Sequence, residues 1–239
     1  MKRRDFIKTG SLAVPMIGIF PADLTGVLRS RKKNMIEKRA LGRTGEMLSV
    51  IGFGGIVVRD SSPEEASRLV AMAVNAGINY FDVAPSYGDA EIKLGPALEP
   101  YRKDVFLACK TTERKREGAR KELENSLKNL RTDHFDLYQH HAVTTLPDVE
   151  TLLGPGGSME TFLEAKKEGK IRYIGFSAHS VEAAMALMDG FDFDTILFPF
   201  NYATWHKGNF GPQVMEKARD KGMGILALKA MAKGPWQKG

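Results

Sequence analysis

Short apolar segments alternating with amphipathic ones predict an α/β fold built on a parallel sheet, and two further observations select its form. The apolar segments lack the alternating polarity of a half-exposed sheet, so helices must cover both faces. Polar residues suited to chemistry gather at the carboxyl ends of several different segments, which favours a (β/α)8 barrel of the TIM type over an open doubly wound sheet. An open sheet would concentrate its chemistry at one switch point with a G-x-G-x-x-G turn, and "GFGG" at 52–55 does not complete that pattern.

The beat is regular from residue 35 onward. "MLSVIGFGG" reads as a strand ending in glycines, followed by a helix with Ser62 as cap, Pro63 in its first turn, Glu64 and Glu65 early, and Gly77 as its stop. "INYFDVA" is the next strand, "DAEIKLGPAL" a helix and "DVFLACKT" a strand. A long helix over 117–130 leads to the strand "FDLYQHHA". The helix "SMETFLEAKKEGK" runs from a Ser to Gly169 before the strand "IRYIGFSAH". Ser180 caps "VEAAMALMDG"; "TILFPFNYA" follows, and a helix over 213–221 leads to "MGILALKA". After that strand only "MAKGPWQKG" remains. About seven barrel strands are therefore expected, with the last strand and helix of a closed barrel missing and two parallel edges unpaired. The sequence reads as a fragment of a longer chain.

Composition sets the class. A chain of 239 residues, 43% hydrophobic and 27% charged, can bury a sizeable core. Its net charge of +6 invites a nucleic-acid reading, but the charge is concentrated at one end. Through Arg39, ten Lys or Arg face three acids, a net +7, so the remaining residues sum to −1. A basic head on a neutral body indicates targeting rather than phosphate binding. The head pairs Arg3 with Arg4 in "KRRDFIK", ahead of the modest apolar run "GSLAVPMIGIF", which is shorter than the roughly 20 residues of a membrane span. It resembles a twin-arginine export signal; the competing reading is a basic amphipathic tail with no address function. The division is thus a signal and basic linker over 1–34 and a barrel domain over 35–239, with a periplasmic or exported location, tethered if the signal is not cleaved. The export machinery is the implied partner, and nucleic acid is not.

Cys109 is the only cysteine, so no intramolecular disulfide forms. It neighbours Lys110 on a strand, where adjacent side chains point to opposite faces, and it reads as a buried small hydrophobe.

The stretch "NYFDVAPSYG" carries the first chemical signal. Asp82 ends the second strand, Lys110 the third, His140 or His141 the fourth, and Ser177 lies near the end of the fifth. As packing, these would be a rim ion pair, a turn aromatic at Tyr87 and a satisfied core histidine. As chemistry, each has a reason to be there. Hydride reduction of a carbonyl places negative charge on oxygen, and Tyr87 can supply the proton. A free phenol has a pKa of about 10, and a nearby Lys110 ammonium favours its ionised form. Lys110 needs a partner when buried, and Asp82 is available. A neutral His141 ring can donate to and orient the substrate oxygen.

Asp82 with Tyr87 in "DVAPSYG", Lys110 in "FLACKT" and the second His of "DLYQHH" resemble the Asp, Tyr, Lys and His of the aldo-keto reductases, over about residues 36–229. The pattern DLYQ-x-H in that family selects His141 over His140. The resemblance implies a barrel enzyme that reduces an aldehyde or ketone, or oxidises the corresponding alcohol, with NADPH or NADH. It implies cofactor contacts from Gly54, Ser177, Asn201 and Lys229. Three positions depart from the family: Ala178 stands where Asn usually holds the nicotinamide amide, Leu197 where Gln is usual, and Leu228 where Tyr commonly stacks. His179, Trp205 and His206 are the available substitutes. The segment that grips the adenosine end in the family lies beyond the last residue.

Two other readings compete. A non-catalytic cofactor-binding or regulatory barrel would keep the fold without turnover. A metal-dependent hydrolase or isomerase would use Asp82, His140, His141 and His179. Adjacent His140 and His141 cannot both face the interior, and no H-x-H or H-E-x-x-H spacing occurs, so no metal site is expected.

Overall fold

The computed structural model describes residues 36–231. The signal-like head over 1–34 and the final residues 232–239 lie outside the described residues.

The chain first forms an antiparallel hairpin of β1 (Lys38–Ala40) and β2 (Met47–Ser49). Seven parallel strands follow: β3 (Phe53–Gly54), β4 (Tyr80–Asp82), β5 (Phe106–Thr111), β6 (Phe135–Val143), β7 (Ile171–Ala178), β8 (Thr195–Phe198) and β9 (Gly224–Ala227). They lie side by side in chain order, each paired with its predecessor. A doubly wound sheet reverses its order at a switch point; this one does not, and it curls as a half-barrel. Among the described residues β3 and β9 form its two edges.

The crossovers are α1 (Pro63–Asn75), α2 (Ala90–Leu98), α3 (Arg116–Asn129), α4 (Leu146–Leu153), α5 (Ser158–Lys167), α6 (Val181–Gly190), α7 (Tyr202–Gly208) and α8 (Pro212–Asp220). Local sequence explains their starts. Ser62 Oγ accepts from Glu65 N at 3.2 Å, and Pro63 occupies the first turn, where its missing N–H costs nothing. Ser180 caps α6 in the same way, at 3.2 Å from Ala183 N. Two helices escape the sequence reading. Thr145 caps α4 ahead of Leu146 and Pro147, and Asn201 caps α7. Among the described residues no helix is long and apolar enough to cross a membrane.

Two apolar layers follow from strand alternation. Phe81, Leu107, Cys109, Tyr138, Phe176 and Ile196 point outward into the layer beneath the helices. Tyr80, Phe106, Ala108 and Leu137 point inward, where Leu41 and Leu48 from the hairpin segment join them and close the amino-terminal end of the barrel. Each buried Leu is worth roughly 1.5–3 kcal/mol. The single strand expected over 47–55 is thus two elements: β2 serves the hairpin and only Phe53–Gly54 enters the sheet. Gly52 stands at the break, where a Cβ would lie 2.4 Å from Tyr80 Cδ1, so the chain can pass only as glycine.

Cys109 is fully buried under α2 and α3, 3.4 Å from Glu91 Oε1. Burial followed by the Glu91 charge pushes its thiol pKa well up, consistent with an inert side chain.

Candidate active site

Four sequence-predicted residues meet at the carboxyl ends of the strands. Lys110 is fully buried near the end of β5, and its Nζ pairs with Asp82 Oδ1 and donates to Val83 O at 3.1 Å. The same ammonium sits 5.4 Å from the centroid of the Tyr87 ring. His141 meets Tyr87 edge-on, with ring centroids 5.8 Å apart at 85°, and its Nδ1 is 3.3 Å from Ser86 Oγ. These side chains line one cavity of about 620 Å³, together with Gly54, Tyr80, Ser177, His179, Leu228 and Lys229.

Interior-facing residues of β6 are Leu137, Gln139 and His141, so the adjacent His140 turns outward. It stacks on Phe162 with centroids 4.0 Å apart, and its Nδ1 lies 3.2 Å from Ser158 Oγ. Burial, then the Arg114 charge, lowers its pKa to about 3. His141 is lowered to about 4, first by burial and then by the Lys110 charge. Both rings are neutral near pH 7. Among the described residues no three His, Cys, Asp or Glu cluster as metal ligands.

The electrostatics of the pair and the phenol divide cleanly. Burial alone would lower the Lys110 pKa, but the Asp82 charge, the Tyr87 phenol and the hydrogen bond to Asp82 outweigh it, and the pKa rises. Lys110 is therefore a charged ammonium inside the barrel. For Tyr87, burial raises the pKa, Lys110 lowers it and Asp82 raises it, with a net rise. The expectation that Lys110 makes this phenol a stronger acid thus holds for Lys110's own contribution and is overturned in the sum, because burial dominates.

Sequence reasoning missed two residues that hold the acid. Asp82 Oδ2 accepts from the Tyr80 hydroxyl at 3.0 Å and from Gln139 Nε2 at 3.1 Å. Spacing could have found them. Tyr80 lies two residues before Asp82 on β4 and Gln139 two before His141 on β6, so each shares a face with a chosen residue.

The residues expected at a cofactor separate into two groups. Gly54 lines the cavity, and the space where its Cβ would stand is open to 4 Å. Ser177 is buried; its Oγ accepts from Ala142 N at 2.7 Å, which leaves its O–H free to donate to an amide oxygen. Lys229 lies exposed at the rim, and Leu197 and Leu228 give an apolar wall. These residues fit a nicotinamide ring with its carboxamide. Asn201 does not join them. Its Oδ1 accepts from Thr204 N at 3.0 Å and its Nδ2 donates to Pro199 O at 3.4 Å, so both polar ends are spent on the start of α7. Of the proposed substitutes only His179 lines the cavity, while the His206 ring lies tilted against Tyr202 with centroids 4.7 Å apart and Trp205 packs on the core.

A larger groove of about 860 Å³ lies at the opposite, amino-terminal ends of the strands. Its central charges are paired with one another: Asp136 holds Arg102 at 3.2 Å and Arg172 at 2.7 Å, and Arg172 also holds Glu46 at 2.5 Å. In barrels of this type the chemistry belongs to the carboxyl-terminal face.

Fold and site together define a curled parallel half-barrel of the TIM type carrying an Asp–Tyr–Lys–His set at the carboxyl-terminal side of its strands. The profile of the Aldo/keto reductase family matches residues 50–239, and the chain belongs to that family. It is 28% identical over 217 residues to the L-galactose dehydrogenase of Arabidopsis thaliana, covering 83% of this chain and 66% of that protein. It is 29% identical over 218 residues to the aldo-keto reductase YhdN of Bacillus subtilis (strain 168), covering 83% and 63%. Among solved structures it resembles the holo form of the aldo-keto reductase AKR11C1 from Bacillus halodurans, with a TM-score of 0.71 and 25% identity over 85% of this chain and 71% of that one. The chain spans somewhat less than two thirds of the length of the two curated relatives.

Proposed function

We propose that this chain reduces an aldehyde or ketone by hydride transfer from a nicotinamide cofactor, NADPH or NADH, with Tyr87 as the proton donor. The observation that carries the reading is the buried Lys110–Asp82 pair set beside the Tyr87 ring, with His141 edge-on to that ring in the same cavity. The cofactor supplies the hydride, and its nicotinamide would rest against Leu197 and Leu228 with Ser177 on its carboxamide and Gly54 and Lys229 along its course.

Tyr87 donates as charge grows on the carbonyl oxygen. Its high pKa keeps the phenol protonated near neutrality, so the donor is in the right form before reaction. The Lys110 ammonium then stabilises the phenolate that proton loss creates, which is where a fixed positive charge is most useful. Asp82 holds that ammonium in place and charged. Neutral His141 presents a ring N–H without adding a cation, and so orients the oxygen rather than protonating it.

The test is Tyr87→Phe. Loss of carbonyl reduction with retained fold and cofactor affinity supports the reading, and undiminished cofactor-dependent turnover by the variant rejects it. Cofactor binding without oxidation of NADPH across a panel of aldehydes would instead support a non-catalytic barrel. For the head, we propose export by the twin-arginine route to the periplasm, tested by replacing Arg3 and Arg4 with Lys and following the protein's location.

A further inference from the structure

Asp82 is held from three directions, and only one holder belongs to the set that the proposed reaction uses. Lys110 occupies Oδ1, while Tyr80 and Gln139 both donate to Oδ2. Strand geometry puts them there. Tyr80 precedes Asp82 by two residues on β4, and Gln139 pairs in register with Lys110 across β5 and β6. Gln139 is fully buried and Tyr80 is 8% exposed. The Tyr80 ring is seated over Gly52, where any Cβ would stand 2.4 Å from it, and it tilts against Phe106 with centroids 6.1 Å apart. That seat aims the hydroxyl at the carboxylate.

A carboxylate whose charge is shared among three donors cancels less of any one of them. The part of the Lys110 charge that Asp82 leaves uncancelled acts on the Tyr87 ring at 5.4 Å, and inside a barrel that field is weakly screened. Taking one donor from Oδ2 concentrates negative charge toward Lys110 and Tyr87. Both consequences push the Tyr87 phenol the same way, toward holding its proton. Tyr80 is not itself a second acid: burial and the Asp82 charge push its own pKa well up, so it remains a donor throughout the working range.

We propose that Tyr80, assisted by Gln139, is a positioning residue that shares the charge of Asp82 and so leaves the Lys110 ammonium free to act on the Tyr87 phenol. Its kinetic consequence rests on the carbonyl-reduction reading, whereas its electrostatic consequence does not.

The experiment titrates Tyr87 by its phenolate absorption in the full chain without cofactor. The difference between wild type and Tyr87→Phe gives its titration in the native setting, and the difference between Tyr80→Phe and the double variant gives it without the Tyr80 hydroxyl. The expected result is a rise of about half a pH unit, about threefold in acid strength. With it comes a fall in kcat of up to about threefold at unchanged KM, and the alkaline limb of the kcat profile moves upward with the titration. Gln139→Leu shifts Tyr87 in the same direction and replaces Tyr80→Phe should that variant not fold. A Tyr87 titration left in place by both substitutions overturns the inference. A shifted titration in a chain that reduces no carbonyl upholds the inference and sinks the reductase reading instead.

Discussion

Lys110 and Asp82 pair inside the barrel from the ends of adjacent strands β5 and β4, and the two sides of this pair are buried unequally. The Lys110 side chain is 1% exposed and Asp82 14%. Removing the partner of a fully buried charge leaves that charge uncompensated, at about 3–5 kcal/mol. Asp82→Ala should therefore lose stability in that range, because the Val83 carbonyl and the neutral Tyr87 side chain left to Lys110 carry no compensating charge. Lys110→Met leaves a carboxylate that still accepts from Tyr80 and Gln139, and should lose less. Both should lose carbonyl reduction. Urea unfolding of the two variants checks the asymmetry, which equal losses would contradict.

Acid should destabilise the fold through its two neighbouring histidines. His140 and His141 have folded pKa values of about 3 and about 4, below the unfolded value of about 6.5. Between those limits the unfolded chain binds protons that the folded chain refuses, so stability rises with pH there. Their contribution is fully present above pH about 6.5 and is lost progressively as pH falls, through about 4 for His141 and about 3 for His140. His140→Phe places a ring against Phe162 without a titrating nitrogen. It should flatten the slope of unfolding free energy between pH 4 and 6, as measured by denaturant titration at several pH values; an unchanged slope would show that His140 carries none of it.

The sequence reveals the site where chemistry and strand end coincide. Asp82, Lys110 and His141 are polar residues at the ends of apolar runs, and nothing but pairing or function keeps such groups there. Tyr80 carries no such signal, because an aromatic in a strand reads as packing until its i, i+2 relation to Asp82 is noticed. Asn201 misleads for the opposite reason: a polar residue after a strand suits a ligand or a helix cap equally, and the Thr204 amide three residues on decides for the cap. The hairpin is hidden because Met47–Ser49 and Phe53–Gly54 form one apolar run, and only the Tyr80 ring against Gly52 reveals the break. Burial of Tyr87 is invisible in sequence, and it reverses the net direction of that phenol's pKa.

At the far end of the strands Asp136 should matter to stability and not to turnover. It accepts from Leu107 N at 2.9 Å and holds both Arg102 and Arg172, with its own side chain 6% exposed. Asp136→Ala leaves a buried backbone donor unpaired and two cations facing each other, a loss of about 3 kcal/mol. Thermal unfolding should show a clear drop in Tm, while kcat and KM measured well below that Tm stay as in wild type. A selective loss of kcat would instead connect this groove to the site.

Gly175 should be intolerant of even one added methyl, and the reason is a neighbour rather than its own backbone. It lies in register between Gln139 on β6 and Thr195 on β8. A Cβ there would stand 2.2 Å from Thr195 Oγ1, 3.1 Å from Thr195 O and 3.1 Å from Leu137 Cδ1. Overfilling a packed interior costs about 1–3 kcal/mol, so Gly175→Ala should lose stability in that range. Thr195 Oγ1 and Gln139 Oε1 are both buried without a hydrogen-bond partner among the described residues, so Thr195→Ala removes a hydroxyl that contributes no bond and should cost little for its polarity. Combining the two substitutions relieves the closest contact but not those with Leu137 and the Thr195 carbonyl. The double variant should therefore recover part of the Gly175→Ala loss, with a coupling of about 0.5 kcal/mol or more in a double-mutant cycle. Strict additivity would mean that the Thr195 hydroxyl is not what excludes a side chain from position 175.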